Sequence, residues 1–190
     1  SQWDNTLEQR ADGALAVRLG FRQIRGLREE DAGWIVAARG NGYPDPESLW
    51  LRAGLTPPVL ERLAEADAMA GLGLSRRDAL WAVRAIRAPR PLPLFGVDGE
   101  GLREPLPALA PMHLGEEVVE DYLALRLTLR AHPMELLRPA IPGLTPHDRL
   151  PVVPSGRVSV CGLVITRQRP GTASGVIFLT LEDETGVANV

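Results

Sequence analysis

The sequence predicts an α+β protein of more than one domain, with helices first and most strands last. Apolar residues recur at helical spacing through residues 21–87, whereas residues 156–190 hold runs rich in Val, Ile, Leu, Phe and Thr. Between them, a linker is predicted over residues 88–113, because Ala88 to Pro111 contains six prolines and three glycines. A helical connector, residues 114–155, then leads to the strands.

Length and composition indicate a globular chain. The 190 residues, 45% of them hydrophobic, suffice for one ordinary domain and a smaller one. No apolar run approaches the ~20 residues of a membrane helix, and the N-terminus lacks a signal-peptide pattern. We therefore expect a soluble, cytoplasmic protein without a membrane partner. The single cysteine, Cys161, excludes a disulfide framework and a multi-cysteine zinc site, and we expect it in a strand.

A helix-hairpin-helix is predicted after residues 1–20, a lead-in from a preceding domain with a short strand over residues 14–19. Phe21 and Ile24 share one face of a short element, and helical spacing resumes after Arg28. The residues between leave room only for a tight turn. In such a turn glycine lets the backbone approach a phosphate, and the N–H groups that begin the next helix can bond its oxygens.

Five residues of this hairpin are predicted to contact the backbone of duplex DNA: Arg22, Arg25, Gly26, Leu27 and Arg28. The alternative is an ordinary helical hairpin whose glycine is a C-cap. In that case the arginines form a solvated face and pair with the carboxylates that follow, Glu29, Glu30 and Asp31.

A second, weaker copy of the hairpin follows. Residues 47–52 form a short helical stretch, Gly54, Leu55 and Thr56 make another glycine turn, and residues 58–68 resume an apolar period. Thr56 is expected as an N-cap with proline just inside the helix. These three turn residues are predicted to contact DNA, so that two hairpins touch both strands across the minor groove. The alternative is that Thr56 and two prolines simply begin a helix.

The charge balance gives DNA binding only local support. The formal net charge is −3, and all 21 basic residues are arginines. Arg18, Arg22, Arg25 and Arg28 nevertheless cluster around the first hairpin. Such a patch can supply a few phosphate contacts whose affinity depends on salt.

The helical connector begins with a helix predicted over Leu114 to Arg130. His132 and Pro133 end it, and a short helix over Met134 to Arg138 follows.

Residues 156–190 predict the start of a small barrel of the OB type. A long first strand with a bend at Gly162, a hairpin and a third strand fit its opening. Because such a barrel needs about five strands, we expect the chain to be a fragment of a longer protein. Arg167, Arg169 and Phe178 are candidates for binding single-stranded nucleic acid by charge and base stacking. The alternative places Phe178 in the barrel core.

Four strings give this order of modules a specific resemblance: LGFRQIRGLREEDA (19–32), ARGNGYPDPESLW (38–50), GEEVVEDYLALRLTLRAHP (115–133) and VCGLVITRQRPGTASGVIFLTLEDETGVAN (160–189). Together they resemble the C-terminal half of bacterial C-family DNA polymerases, the polymerase III alpha-subunit type, and most closely its error-prone, damage-inducible branch. The resemblance covers essentially the whole chain. It implies template-directed DNA synthesis in translesion and mutagenic repair, together with accessory mutagenesis proteins.

The resemblance places the chemistry of the parent protein outside this sequence. The catalytic carboxylates of the family would precede residue 1, so no residue here is predicted to be catalytic. No metal-ligand spacing is present, and no cofactor is expected in this fragment. The Mg²⁺ of the parent polymerase would bind elsewhere.

A clamp-binding peptide is a further expectation from the resemblance. Leu92, Leu94 and Phe95 match the short peptide with which replicative relatives bind the sliding clamp, although proline replaces its glutamine. The alternative is that Leu94 and Phe95 pack on the protein's own helices.

Two other function classes stay open. One is a protein-interaction scaffold that docks the polymerase to the clamp or to mutagenesis partners. The other is an unrelated repair enzyme built from the same modules, such as a ligase or a junction-binding protein.

Overall fold

The computed structural model describes residues 1–86, 107–154, 156–172 and 175–190. The described residues fall into two compact units. The first comprises Ser1–His113 and Val119–Leu127, and the second comprises Leu114–Val118 and Thr128–Val190. The predicted lead-in therefore lies in the first unit.

The first unit opens with a two-stranded antiparallel hairpin. Strand β1 is Thr6–Gln9, and strand β2, Leu15–Arg18, confirms the short strand predicted over residues 14–19. Gly20 then passes so close to the N-terminal backbone that a Cβ there would lie 2.2 Å from the carbonyl oxygen of Trp3. A side chain would not fit at this position.

Residues 21–86 of the first unit are mainly helical, as predicted. A 3₁₀ turn, Phe21–Gln23, comes first. The helices that follow are α1, Glu29–Ala37; α2, Pro46–Ala53; α3, Pro57–Glu65; and α4, Arg76–Ala85. Each of these helices contributes to one core cluster, whose buried residues include Ile24, Leu27, Leu60, Met69 and Val83.

Arg52 fixes the connection between α1 and α2. Its guanidinium donates to the carbonyl oxygens of Arg39 and Gly42, both at 2.7 Å, and lies over the ring of Tyr43 at 4.7 Å. The Tyr43 hydroxyl donates to the Ile35 carbonyl at 2.6 Å. These bonds occupy one carbonyl group in the last turn of α1 and two in the loop that follows the helix.

Helix α5, Leu114–Leu125, is shorter than predicted. Arg126 ends it because this residue adopts a left-handed φ of +63°. Asp121 of α5 and Arg76 of α4 form an ion pair with side chains 2% and 1% exposed. This buried pair joins the first unit's α4 to the part of α5 that belongs to the same unit.

The second unit contains a three-stranded antiparallel sheet in the order β3-β4-β5. Helix α6, Pro133–Leu137, precedes it and matches the short helix predicted over Met134 to Arg138. The strands are Leu163–Gln168, Phe178–Asp183 and Gly186–Asn189, with a register irregularity in β3 between Val164 and Thr166.

Two residues expected inside the first strand precede it. Cys161 and Gly162 lie just before β3, which corrects the prediction of a strand bent at its centre. A Cβ at Gly162 would lie 2.6 Å from the carbonyl oxygen of Glu182. The glycine therefore permits close approach of two backbones, and closure of this sheet into a barrel stays a prediction.

None of the helices within the described residues combines the length and apolar character that crossing a bilayer requires.

Candidate nucleic-acid interface

The first predicted turn has a backbone that favours glycine. Gly26 has a φ of +76°, in the left-handed region. Ile24 and Leu27 beside it are buried in the helical core, and Arg28 is the extended residue before α1. The core therefore holds an exposed glycine directly ahead of a helix N-terminus.

The amides of this turn are partly occupied. The Arg25 N–H donates to the carbonyl oxygen of Ala124 at 2.8 Å, and the Leu27 N–H donates within the turn at 3.2 Å. In the part of the chain that the structure describes, the N–H groups of Gly26 and Arg28 make no hydrogen bond. Two of the predicted amide donors thus remain for an anion.

Carboxylates surround the start of α1. Its first turn carries three of them: Glu29, Glu30 and Asp31. Asp31 accepts hydrogen bonds from the Arg28 guanidinium at 3.0 and 3.1 Å, and these bonds raise the pKa of Arg28. Arg22 pairs with Asp4 at 2.6 Å. Arg28 therefore shows the pairing that the alternative interpretation predicted, whereas Arg25 forms no ion pair with any described residue.

The second predicted turn is less obstructed. Gly54 has a φ of +63°, and Thr56 is the N-cap of α3, although its hydroxyl makes no capping bond. The N–H groups of Leu55 and Thr56 have no hydrogen-bond partner among the described residues. The first turn of α3 contains no acidic residue. This turn thus offers amides without a competing carboxylate at the helix start.

A third turn repeats the same construction and was not predicted. Gly73 has a φ of +75°, and Leu74 and Ser75 lead into α4. The Ser75 hydroxyl accepts the N–H of Asp78 at 3.2 Å and donates to its carboxylate at 2.6 Å. The side chains of Ser75 and Asp78 thus already cap the start of this helix.

Arg62 and Arg126 also lie at the first turn, far from it in sequence. A Cβ on Gly26 would be 3.3 Å from Nε of Arg62. One open pocket of about 400 Å³ is lined by Arg25, Gly26 and Arg62, and another of about 340 Å³ is lined by Arg25, Gly26 and Arg126. Sequence reasoning missed both arginines because no local motif links them to the turn.

The sheet of the second unit separates the single-strand candidates. Arg167 is paired with Leu179, and Phe178 is paired with Gln168. Directly paired residues share a face and neighbours along a strand alternate, so Arg167 and Phe178 lie on opposite faces. Phe178 is 50% exposed, and Arg169 follows the end of β3. The structure does not bring the three residues to one surface.

Other predicted sites have no described geometry. Leu92, Leu94 and Phe95 lie outside the described residues. Within those residues, no group of three or more His, Cys, Asp or Glu side chains is arranged to hold a metal ion.

Residues 1–79, which contain the turns at Gly26 and Gly54, match the family described as the helix-hairpin-helix motif. A protein of Ruegeria pomeroyi named error-prone DNA polymerase is 78% identical over the whole chain. Proteins of the same name from Sinorhizobium medicae and Caulobacter vibrioides are each 51% identical over 92% of it. The chain is homologous to one part of the error-prone DNA polymerases. This confirms the resemblance predicted from the four strings.

The chain spans only a small part of these error-prone polymerases. It covers 17% of the Ruegeria protein and 16% of the other two. The homologous part includes both glycine turns and the described strands, because the Ruegeria alignment extends over all of this chain.

Proposed function

We propose that this chain is a duplex-DNA-holding part of an error-prone DNA-directed DNA polymerase that acts in damage-induced translesion synthesis. The observation that carries the proposal is the pair of left-handed glycine turns, each ahead of a helix N-terminus and each with amides that have no partner among the described residues. Both turns lie within the helix-hairpin-helix match.

The physical basis is recognition of phosphate and not of base sequence. Amide N–H groups before a helix, aided by the helix dipole, bind anions. The glycine at each turn allows the phosphate to approach the backbone. Two such turns would each hold one strand of the duplex, and the contacts would be indifferent to base sequence, as copying any template requires.

In this proposal the second turn binds phosphate more tightly than the first. Leu55 and Thr56 offer their amides without a carboxylate in the first turn of α3, whereas α1 begins with three. Phosphate binding at a helix N-terminus weakens when acidic side chains already occupy the positive end of the dipole.

The second candidate is a scaffold that docks the polymerase to the sliding clamp or to accessory mutagenesis proteins. The hydrogen bond from Arg25 to Ala124 favours it, since it removes one amide from the first turn. The predicted peptide with Leu92, Leu94 and Phe95 would supply the contact with the clamp.

The rest of the parent polymerase completes this proposal. Residues 156–190 would begin an OB-type barrel that holds the template strand. The catalytic carboxylates and the Mg²⁺ ions, which supply charge stabilisation in nucleotidyl transfer, would lie outside this chain. The protein would work in the cytoplasm.

Duplex binding by Gly54→Asp tests the proposal, and the chain provides a matched control. Gly54-Leu55-Thr56-Pro57 recurs as Gly143-Leu144-Thr145-Pro146, with φ values of +63° and +81° and open space at both glycines. In the second copy the Thr145 N–H is bonded to the Ser159 carbonyl at 2.8 Å. Both substitutions add the same charge to the same tetrapeptide.

We expect Gly54→Asp to weaken duplex binding about tenfold or more in fluorescence anisotropy at low salt, because a carboxylate would face the phosphate. Gly143→Asp should bind like the wild type. Equal losses of affinity in both variants would mean that the added charge acts at long range and that the second turn does not bind the duplex. A wild-type chain without measurable duplex affinity would favour the scaffold.

A further inference from the structure

The arginines around Gly26 differ in what they contact. Arg22 and Arg28 are paired with carboxylates. Arg25, Arg62 and Arg126 make no ion pair and no side-chain hydrogen bond with the described residues. The last three surround one exposed glycine from the turn itself, from α3 and from the end of α5.

The two pockets at Gly26 differ in charge. Glu65 and Glu120 line the pocket that contains Arg62, so its positive charge is partly balanced. Among the described residues, no carboxylate lines the pocket that contains Arg126, and its charged lining residues are Arg22, Arg25 and Arg126. Because Arg22 is already paired with Asp4, an anion would find the guanidinium groups of Arg25 and Arg126 and the free Gly26 amide there.

The backbone of Arg126 is a second, independent indication. This residue ends α5 with a φ of +63°, a conformation in which a Cβ is disfavoured and glycine is preferred. Glycine would end the helix at lower cost. Residues in such conformations are held there by the structure around them, and they cluster at functional sites.

We propose that the pocket between Arg25 and Arg126 binds a phosphodiester of duplex DNA and that Arg126 is a binding residue of this site. The inference rests on the proposed function, because it assigns one phosphate contact of the duplex to particular side chains. Arg62 does not line this pocket. The side-chain charge of the site does not depend on the Arg25 amide, which donates to the carbonyl oxygen of Ala124.

The decisive variant is Arg126→Gly, which removes the side chain and relieves the backbone. Its melting temperature should equal or exceed that of the wild type, so lost binding cannot be ascribed to unfolding. One phosphate contact corresponds to a slope of about 0.9 in log K against log[salt], or about eightfold in affinity at 0.1 M salt. We therefore expect about eightfold weaker duplex binding and a slope reduced by about 0.9.

Two control variants test whether the effect is specific to the positive charge at residue 126. Arg126→Lys keeps the charge and should retain most of the affinity. Arg149→Gln removes one exposed positive charge from the second unit and should leave the slope unchanged. A wild-type slope for Arg126→Gly would overturn this proposal alone, provided that Gly54→Asp still weakens binding more than Gly143→Asp. A wild-type chain that binds no duplex would overturn this proposal and the proposed function together.

Discussion

Asp183 shows how one carboxylate can fix a strand turn. Its oxygens accept the N–H and hydroxyl of Thr185 at 2.8 and 2.7 Å, and the N–H groups of Gly186 and His147, both at 3.0 Å. The Arg138 guanidinium donates to it at 2.8 Å. Burial of the carboxyl would raise its pKa, but the bonds from Thr185 and His147 outweigh burial and lower the pKa to about 2.

This lowered pKa predicts acid sensitivity of the second unit. The ordinary pKa is 3.8, so folding lowers it, and the stabilisation is complete above that pH and is lost as the pH falls towards about 2. The shift corresponds to about 2 kcal/mol. Urea unfolding at pH 6 and pH 2.5 should show a smaller loss for Asp183→Asn than for the wild type. Equal losses in both proteins would show that other groups carry the acid sensitivity.

The sequence predicts the role of a single residue where that role depends on local backbone geometry, and it does not where the role depends on tertiary packing. Gly26 and Gly54 have the left-handed φ expected of glycine turns, because only local geometry is involved. Arg62 and Arg126 reach the same surface through packing of α3 and α5, which no local pattern encodes. Arg126 is also the reason why the helical period predicted to Arg130 stops at Leu125.

At the scale of elements, patterns with a capping residue located helices well. Helix α4 begins after Ser75, whose hydroxyl accepts the Asp78 N–H, the capping bond that serine at this position favours. Strand β1 was missed, because Thr6–Gln9 has little β propensity and forms by pairing with β2. The Arg76–Asp121 contact was also not predicted from the sequence, because the whole proline-rich segment separates the two residues along the chain.

The Arg76–Asp121 pair predicts a marked difference between single and double substitutions. Asp121→Leu alone would leave a buried guanidinium charge and should lower the free energy of unfolding by about 3–5 kcal/mol. Arg76→Met combined with Asp121→Leu removes both charges and should recover most of that loss. Chemical denaturation of the wild type, both single variants and the double variant gives the coupling. Additive losses would mean that the pair does not tie α4 to α5.

At the scale of the whole molecule, charge restricts how this chain can bind DNA. The net charge is −3, so long-range attraction to a polyanion is weak and binding must depend on local contacts. Arginines that are already paired with carboxylates add little to the affinity for DNA, because their charge is compensated in the free protein. Neutral amides hold a phosphate without displacing counterions. Among the arginines around the first turn, the contribution that depends on salt is thus limited to Arg25, Arg62 and Arg126, which have no ion-pair partner among the described residues.

These three arginines predict a shallow salt dependence for duplex binding, because Arg25 and Arg126 would share one phosphate and Arg62 would hold a second. With about 0.9 per phosphate, the slope of log K against log[salt] should be near −1.8, which is about a 12-fold loss between 50 and 200 mM salt. A slope of about −5 or steeper would contradict this count and indicate more cationic contacts. Arg167→Gln with Arg169→Gln then decides whether the second unit supplies them, since that double variant should reduce a steep slope by about 2. A slope near zero would mean that no arginine meets a phosphate, and the amide turns alone would have to account for any binding that remains.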